Sequence, residues 1–208
     1  MERLIRESQK GESVKGFKGR RWRQGSSIAG RRLTFLTVAC ALSAGWLVAQ
    51  RLPRADTVVK PAVYLSLEPV PRGRTFELAV VAQIQEGFHV NANKVLEDYL
   101  IPTTLTPELP AGVKLLETKY PDGQQLKFEF SEQPLNVYEG TFTMRLKLEA
   151  RKDAPLGALK LPILLRYQAC NDVACLPPVK KPLQAEVIIA PAGAKAIPVN
   201  QKVFTAKQ

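Results

Sequence analysis

Apolar and polar residues alternate along most of the chain between residues 62 and 190. Three runs, "TFELAVVAQIQ", "TFTMRLKLE" and "LKLPILLRYQAC", place every second side chain on one apolar face. This period of two predicts β-strands with one buried face. The residues predicted to point inward are Phe76, Leu78, Val80, Ala82 and Ile84, then Phe142, Met144, Leu146 and Leu148, and finally Leu159, Leu161, Ile163, Leu165 and Tyr167. A shorter run, "LKFEF", places Leu126, Phe128 and Phe130 on one face in the same way.

Turn signals separate these runs, among them "PRGR" at 71–74, "YPDG" at 120–123 and "APLG" at 154–157. No amphipathic helix interrupts the pattern. About eight or nine short strands at this spacing predict an all-β fold, an immunoglobulin-like antiparallel β-sandwich.

The composition divides the chain into five parts. Residues 1–32 form a basic N-terminal region, and residues 33–49 an apolar run. Residues 50–61 are predicted to be a linker, 62–190 the β-sandwich and 191–208 a mobile tail.

The apolar run, "LTFLTVACALSAGWLVA", follows two arginines and has the layout of a signal-peptide h-region. Its length also suits a short N-terminal membrane anchor, and a buried core helix is the plainer alternative. Cys40 ends "TVAC", which only weakly resembles a lipidation site. We therefore expect export from the cytoplasm, with cleavage, anchoring and lipidation left open.

The positive charge belongs to the N-terminal region. The chain carries +11, but residues 1–54 hold 12 Lys and Arg against 3 Glu, a net of +9, which leaves +2 for the rest. Positive charge before an apolar run is typical of the cytoplasmic side of a membrane segment. A nearly neutral domain gives little support to nucleic-acid binding.

Two of the three cysteines lie close together in "YQACNDVACLPP", residues 167–178. Cys170 ends a strand pattern and "NDVA" forms a turn, so a hairpin would bring Cys175 opposite Cys170. Facing residues of such a pair lie about 4.5–5.5 Å apart at Cα, within disulfide reach. Asp172 is expected to cap backbone amides of the turn.

Spacing leaves three interpretations of this pair open: a redox-active disulfide, a structural staple or a metal clip. A loop this small stabilises the fold by only about 2 kcal/mol. A zinc site needs more ligands than these cysteines and the single histidine supply, and the methionines usual around Cu(I) are missing. We predict no cofactor and no metal.

The segment "YQACNDVACLPP", with "GFHVNANK" (87–94) and "YPDGQQLKFEFSEQPLNVYEG" (120–140), resembles the N-terminal periplasmic domain of the DsbD thiol:disulfide interchange family. The resemblance covers roughly residues 60–190. It implies an immunoglobulin-like domain whose two cysteines accept electrons and pass them to periplasmic disulfide proteins through a mixed disulfide. It assigns this role to Cys170 and Cys175, and it connects the chain with cytochrome c biogenesis.

The resemblance also implies a cap loop over the cysteines, at about 118–134, with Tyr120 and Pro121 as lid residues. An ordinary hairpin loop is the alternative. Residues after the turn at 86–87 are expected near the pair, and His89 is expected to be a surface histidine rather than a base. The remaining residues expected at the rim of the site are Phe88, Asn91, Tyr138 and Tyr167, the two tyrosines as core or rim aromatics with bonded hydroxyls.

Complete members of this family continue into a membrane electron conduit and a thioredoxin-like domain, whereas about 18 residues come after the predicted sandwich here. We therefore expect a stand-alone relay module, with a membrane thiol-conduit protein as electron donor, and not a self-sufficient reductase. The rival hypotheses are a non-enzymatic protein-binding module with a structural hairpin disulfide and a Cu(I)-handling thiol site.

Overall fold

A computed structural model describes residues 52–205 of the chain. Two short helices are present in this range, α1 (Ala55–Val58) and α2 (Gln201–Thr205). The strands are β1 (Val59–Leu65), β2 (Leu67–Glu68), β3 (Val70–Pro71), β4 (Thr75–Ile84), β5 (His89–Asn91), β6 (Thr104–Pro107), β7 (Val113–Lys119), β8 (Gln124–Leu126), β9 (Leu135–Glu139), β10 (Thr141–Ala150), β11 (Gly157–Tyr167), β12 (Ala169–Cys170), β13 (Val179–Ala190) and β14 (Ile197–Pro198).

Two four-stranded sheets form a sandwich, in the orders β1-β4-β10-β7 and β3-β13-β11-β6. Their long pairings are antiparallel, and the short β3 runs parallel to its neighbour β13. Leu78, Leu146, Leu161 and Val187 are fully buried in one core cluster that draws on both sheets. The prediction of an immunoglobulin-like antiparallel β-sandwich is confirmed.

The period-two interpretation holds for the long strands. Along β4 and β10 the predicted inward residues are buried, and along β11 only Leu159, near the strand start, is half-exposed. Apolar alternation is sufficient there because each strand has one face on the core and another toward solvent.

A smaller four-stranded sheet, β12-β5-β9-β8, carries the cysteine segment. One face of this sheet packs on the main core through Val90, Tyr138 and Ala169. The other face is covered by a second apolar cluster of Phe128, Leu135 and Val137, with Leu100 and Leu126 packed against it. The cysteine segment therefore belongs to this small sheet and does not lie between the two large sheets.

The structure corrects three expectations. The predicted linker at 50–61 contains α1 and the start of β1, with Val58 and Val59 buried in the core. The predicted mobile tail at 191–208 includes β14, paired with β2, and α2, where the carbonyl of Val203 accepts a bond of 2.9 Å from Arg145 Nη2. The strand predicted over "LKFEF" ends at Leu126, and a loop connects it to β9.

The basic region, the apolar run and Cys40 lie outside the described residues. Within 52–205, no helix is long and apolar enough to cross a membrane.

Candidate functional site

Cys170 and Cys175 form a disulfide with an S–S distance of 2.01 Å. They face each other across an antiparallel bridge, as the hairpin interpretation expects. Their Cα atoms are 3.9 Å apart, closer than the sequence-based expectation.

Asn171 holds the turn between the cysteines. Its Oδ1 accepts bonds from the amides of Val173 at 3.0 Å and Ala174 at 2.8 Å, and its own amide donates to the Ala174 carbonyl at 3.0 Å. The sequence-based expectation that Asp172 caps these amides is wrong, because its side chain is exposed and Asn171 does so instead. Either side chain offers the acceptor oxygen of such a turn, so residue type alone does not distinguish them.

The two cysteines differ in exposure. Cys170 is 2% exposed, whereas Cys175 is exposed at the surface. Close to Cys175 in the turn, Val173 is 86% exposed. An incoming thiolate must reach a sulfur atom along the S–S axis, so exposure makes Cys175 the sulfur open to attack.

A ladder of four residues crosses the small sheet at the disulfide. Cys175 pairs with Cys170, Cys170 pairs with His89, and His89 pairs with Glu139. Directly opposed residues of antiparallel strands point to the same face. The imidazole of His89 therefore stands on the same face as the side chain of Cys170.

His89 is buried at 2% exposure, which makes the expectation of a surface histidine wrong. Its ring stacks on Phe128 with 4.2 Å between ring centroids. Its Nε2 is buried and has no hydrogen-bond partner among the described residues. Burial lowers the pKa of His89 below its ordinary 6.5, and the carboxylate of Asp172 opposes this shift.

The cover over His89 is the loop at 127–134 between β8 and β9, which is the last part of the segment predicted as a cap at 118–134; we use the name cap loop for 127–134 only. Phe128 is buried over His89, and Phe130 stacks on Phe128 at 5.3 Å with half of its surface exposed. The loop is closed by the ammonium group of Lys127, which donates to the carbonyls of Ser131 and Glu132. Sequence reasoning misses this role of the phenylalanines because two aromatic residues at i and i+2 also fit a strand.

Tyr120, Pro121 and Tyr138 anchor the segment that leads into the cap loop, and the lid role expected of Tyr120 and Pro121 stays a prediction. The hydroxyl of Tyr138 lies 2.9 Å from Asn93 Oδ1 and 3.1 Å from the Pro121 carbonyl. The hydroxyl of Tyr120 accepts a bond of 3.0 Å from the Leu105 amide. Burial raises the pKa of Tyr138, so the hydroxyl stays protonated.

The other predicted rim residues lie on β5, on the turn before it and in the core. Asn91 is buried on β5, where its Nδ2 donates to the Ile101 carbonyl at 3.1 Å while its Oδ1 has no partner among residues 52–205. Phe88 is half-buried against the main core. Tyr167 is a core residue whose hydroxyl donates to the Ala55 carbonyl at 3.0 Å, and burial raises its pKa to about 12.

Metal ligands are not assembled in this part of the chain. Over residues 52–205, no group of three or more His, Cys, Asp or Glu side chains is arranged to hold a metal ion.

An immunoglobulin-like sandwich with a disulfide between a buried and an exposed cysteine fits the class of thiol–disulfide exchange domains. Residues 55–186 match the family described as thiol:disulfide interchange protein DsbD, N-terminal, and the chain belongs to that family. No curated protein matches the sequence.

Two solved structures are similar to this chain. The reduced DsbD N-terminal domain of Neisseria meningitidis is 16% identical, with a TM-score of 0.43, over 72% of this chain and 96% of that one. The N-terminal periplasmic domain of ScsB from Proteus mirabilis is 8% identical, with a TM-score of 0.45, over 66% of this chain and 49% of that one. The chain thus spans about half of that ScsB structure.

Proposed function

We propose that this chain is a periplasmic electron-relay module, exported or anchored through residues 33–49, that passes reducing equivalents through Cys170 and Cys175. Its donor is a membrane thiol-conduit protein and its acceptors are periplasmic proteins that contain disulfides. The observation that carries the proposal is the unequal exposure of the two cysteines, with Cys175 at the surface and Cys170 buried.

The unequal exposure gives each cysteine a role in exchange. To reduce an acceptor, the Cys175 thiolate attacks the acceptor's disulfide, forms a mixed disulfide and expels one acceptor thiolate. Cys170 then attacks Cys175 Sγ, re-forms the Cys170–Cys175 bond and expels the second acceptor thiolate. Two electrons leave the dithiol and reduce one disulfide, and the donor restores the dithiol by the reverse sequence.

Serine variants of the full chain test this assignment of roles. We expect Cys170→Ser to accumulate a mixed disulfide with a disulfide acceptor, because attack by Cys175 proceeds and resolution does not. Cys175→Ser should form no adduct. Adducts are measured by mass spectrometry after acid quenching.

Both variants should keep the fold, since neither cysteine belongs to the main core cluster, with a loss of only about 2 kcal/mol of stability. Adducts trapped on Cys170 in the Cys175→Ser variant would reverse the two roles, whereas unfolding of both variants would argue for a structural disulfide.

A further inference from the structure

Burial of Cys170 hinders the loss of its thiol proton, which the resolving step requires. Cys170 is 2% exposed, so its thiol has little access to water that could take its proton. Only the thiolate is a nucleophile, and a thiol in apolar surroundings gives up its proton less readily than one in water. The resolving step therefore needs a proton acceptor inside the protein.

His89 stands where such an acceptor is needed. It is the ladder partner of Cys170 on β5, so the two side chains are neighbours on one face of the sheet. Its Nε2 is buried without a hydrogen-bond partner among the described residues, whereas buried polar atoms are nearly always paired. The stack on Phe128 fixes the plane of the ring, so the imidazole is held in place.

Charged groups around His89 come from three sides. Glu139 is its ladder partner on β9, and Asp172 acts on it from the turn between the cysteines, both with exposed carboxylates. From the cap loop the ring is faced by Phe128, while the Lys127 ammonium is bound to carbonyls of its own loop. Burial has the largest effect and lowers the pKa of His89, so the imidazole is neutral near neutral pH and free to accept a proton.

We propose that His89 accepts the proton of the Cys170 thiol when Cys170 resolves a mixed disulfide on Cys175. The inference rests on the relay function proposed above. The S–H bond of Cys170 breaks, and its proton moves to the imidazole. The resulting thiolate attacks Cys175 Sγ, the new Cys170–Cys175 bond forms, and the acceptor leaves as a thiolate. That thiolate takes up a proton as the imidazolium releases its own, so the histidine is regenerated.

A two-phase reaction of the reduced full chain with dithiobis(nitrobenzoate) isolates this step, in a Cys40→Ser background that removes the third thiol. Attack by Cys175 releases a first nitrothiophenolate, and resolution by Cys170 releases a second, so both phases are read from absorbance. With His89 in place the second phase should slow as pH falls through the titration of the His89 ring, measured separately by NMR. A second phase whose pH dependence has no inflection at that titration would overturn the proposal.

Variants of His89 give the second readout. His89→Gln and His89→Phe should slow the second phase on the order of 100-fold near neutral pH and leave the first phase unchanged. The phenylalanine variant keeps an aromatic ring in contact with Phe128. It therefore controls for a slower second phase that results from lost packing and not from the lost base. In both variants the rate should rise steadily with pH, as for a thiol that ionises unaided.

Glu139→Gln is the matched control, because it alters the opposite neighbour of His89 and keeps the imidazole. It should leave both phases unchanged, whereas slowing in this variant with normal rates in the His89 variants would assign the base to Glu139. The assay does not depend on a protein partner. Failure of the relay function would appear as absent exchange with protein dithiols while both phases remain intact.

Discussion

At the scale of the residue, the site depends on one histidine whose surroundings come from distant parts of the chain. His89 lies on a three-residue strand, its neutral form is favoured by burial, and the burying residue, Phe128, comes from the cap loop. The sequence around His89 gives no sign of this cover, which is why the local pattern predicts a surface histidine. The disulfide itself is accessible to prediction, because a short turn between two strand-like segments brings its ends together.

The lowered pKa of His89 predicts how stability changes with pH. Below the ordinary value of 6.5 the unfolded chain binds a proton at His89 that the folded chain does not bind. This proton uptake lowers the free energy of unfolding, so the free energy of unfolding is not reduced by His89 above pH 6.5. It should fall as pH drops from 6.5 toward the folded pKa. Denaturant unfolding at a series of pH values measures this loss. His89→Phe should remove that component, and an unchanged pH dependence in this variant would show that other groups are responsible.

We predict that two substitutions of Asn171, in the turn between the cysteines, differ in their effect on the free energy of unfolding. Asn171→Ala removes the acceptor of two backbone amides and should lower the free energy of unfolding by about 1 kcal/mol. Asn171→Asp keeps an acceptor oxygen and should retain most of that stability. Urea unfolding of the oxidised chain compares them, and an equal loss in both would mean that these bonds contribute little.

At the scale of the element, alternation predicts the long strands well and the cap loop badly. β4, β10 and β11 each have one face on the main core, so a period of two in the sequence has a direct physical cause. The loop at 127–134 has a similar local pattern, but Lys127 binds the carbonyls of Ser131 and Glu132 and turns the chain back. A side chain that closes a loop on backbone carbonyls leaves no trace in hydrophobic periodicity.

We predict that Phe128, in the cap loop, controls access to Cys170, because its ring stacks on His89 and His89 pairs with Cys170. Phe128→Ala removes a ring stack of about 1 kcal/mol, which should increase the open fraction of the loop about five-fold. Alkylation of Cys170 in the reduced chain should speed up accordingly, as measured by mass spectrometry. The NMR-measured pKa of His89 should also rise toward 6.5, because its desolvation is relieved.

Phe130→Ala is the control for this prediction, because that ring is half-exposed and stacks on Phe128 rather than on His89. It should have the smaller effect on both readouts. Equal effects of the two variants, or none from Phe128→Ala, would mean that the loop does not limit access.

At the scale of the whole molecule, the cysteines of the candidate site are separate from the main core that stabilises the fold. The main core fills the space between the two large sheets and contains neither cysteine, while the disulfide lies at the small sheet, which carries a second apolar cluster. We therefore expect the main core to stay intact when the disulfide is broken. This arrangement suits the proposed relay, in which the disulfide forms and breaks in every cycle.

The reduction potential of the Cys170–Cys175 pair tests the central claim most directly. It is measured on the full chain by counting free thiols after equilibration in a series of glutathione or dithiothreitol buffers. Because Cys175 is exposed, we predict a potential in the range of known exchange proteins, roughly −180 to −270 mV. A value well below about −300 mV, typical of structural disulfides in secreted proteins, would contradict the relay function and favour a binding module with a permanent disulfide.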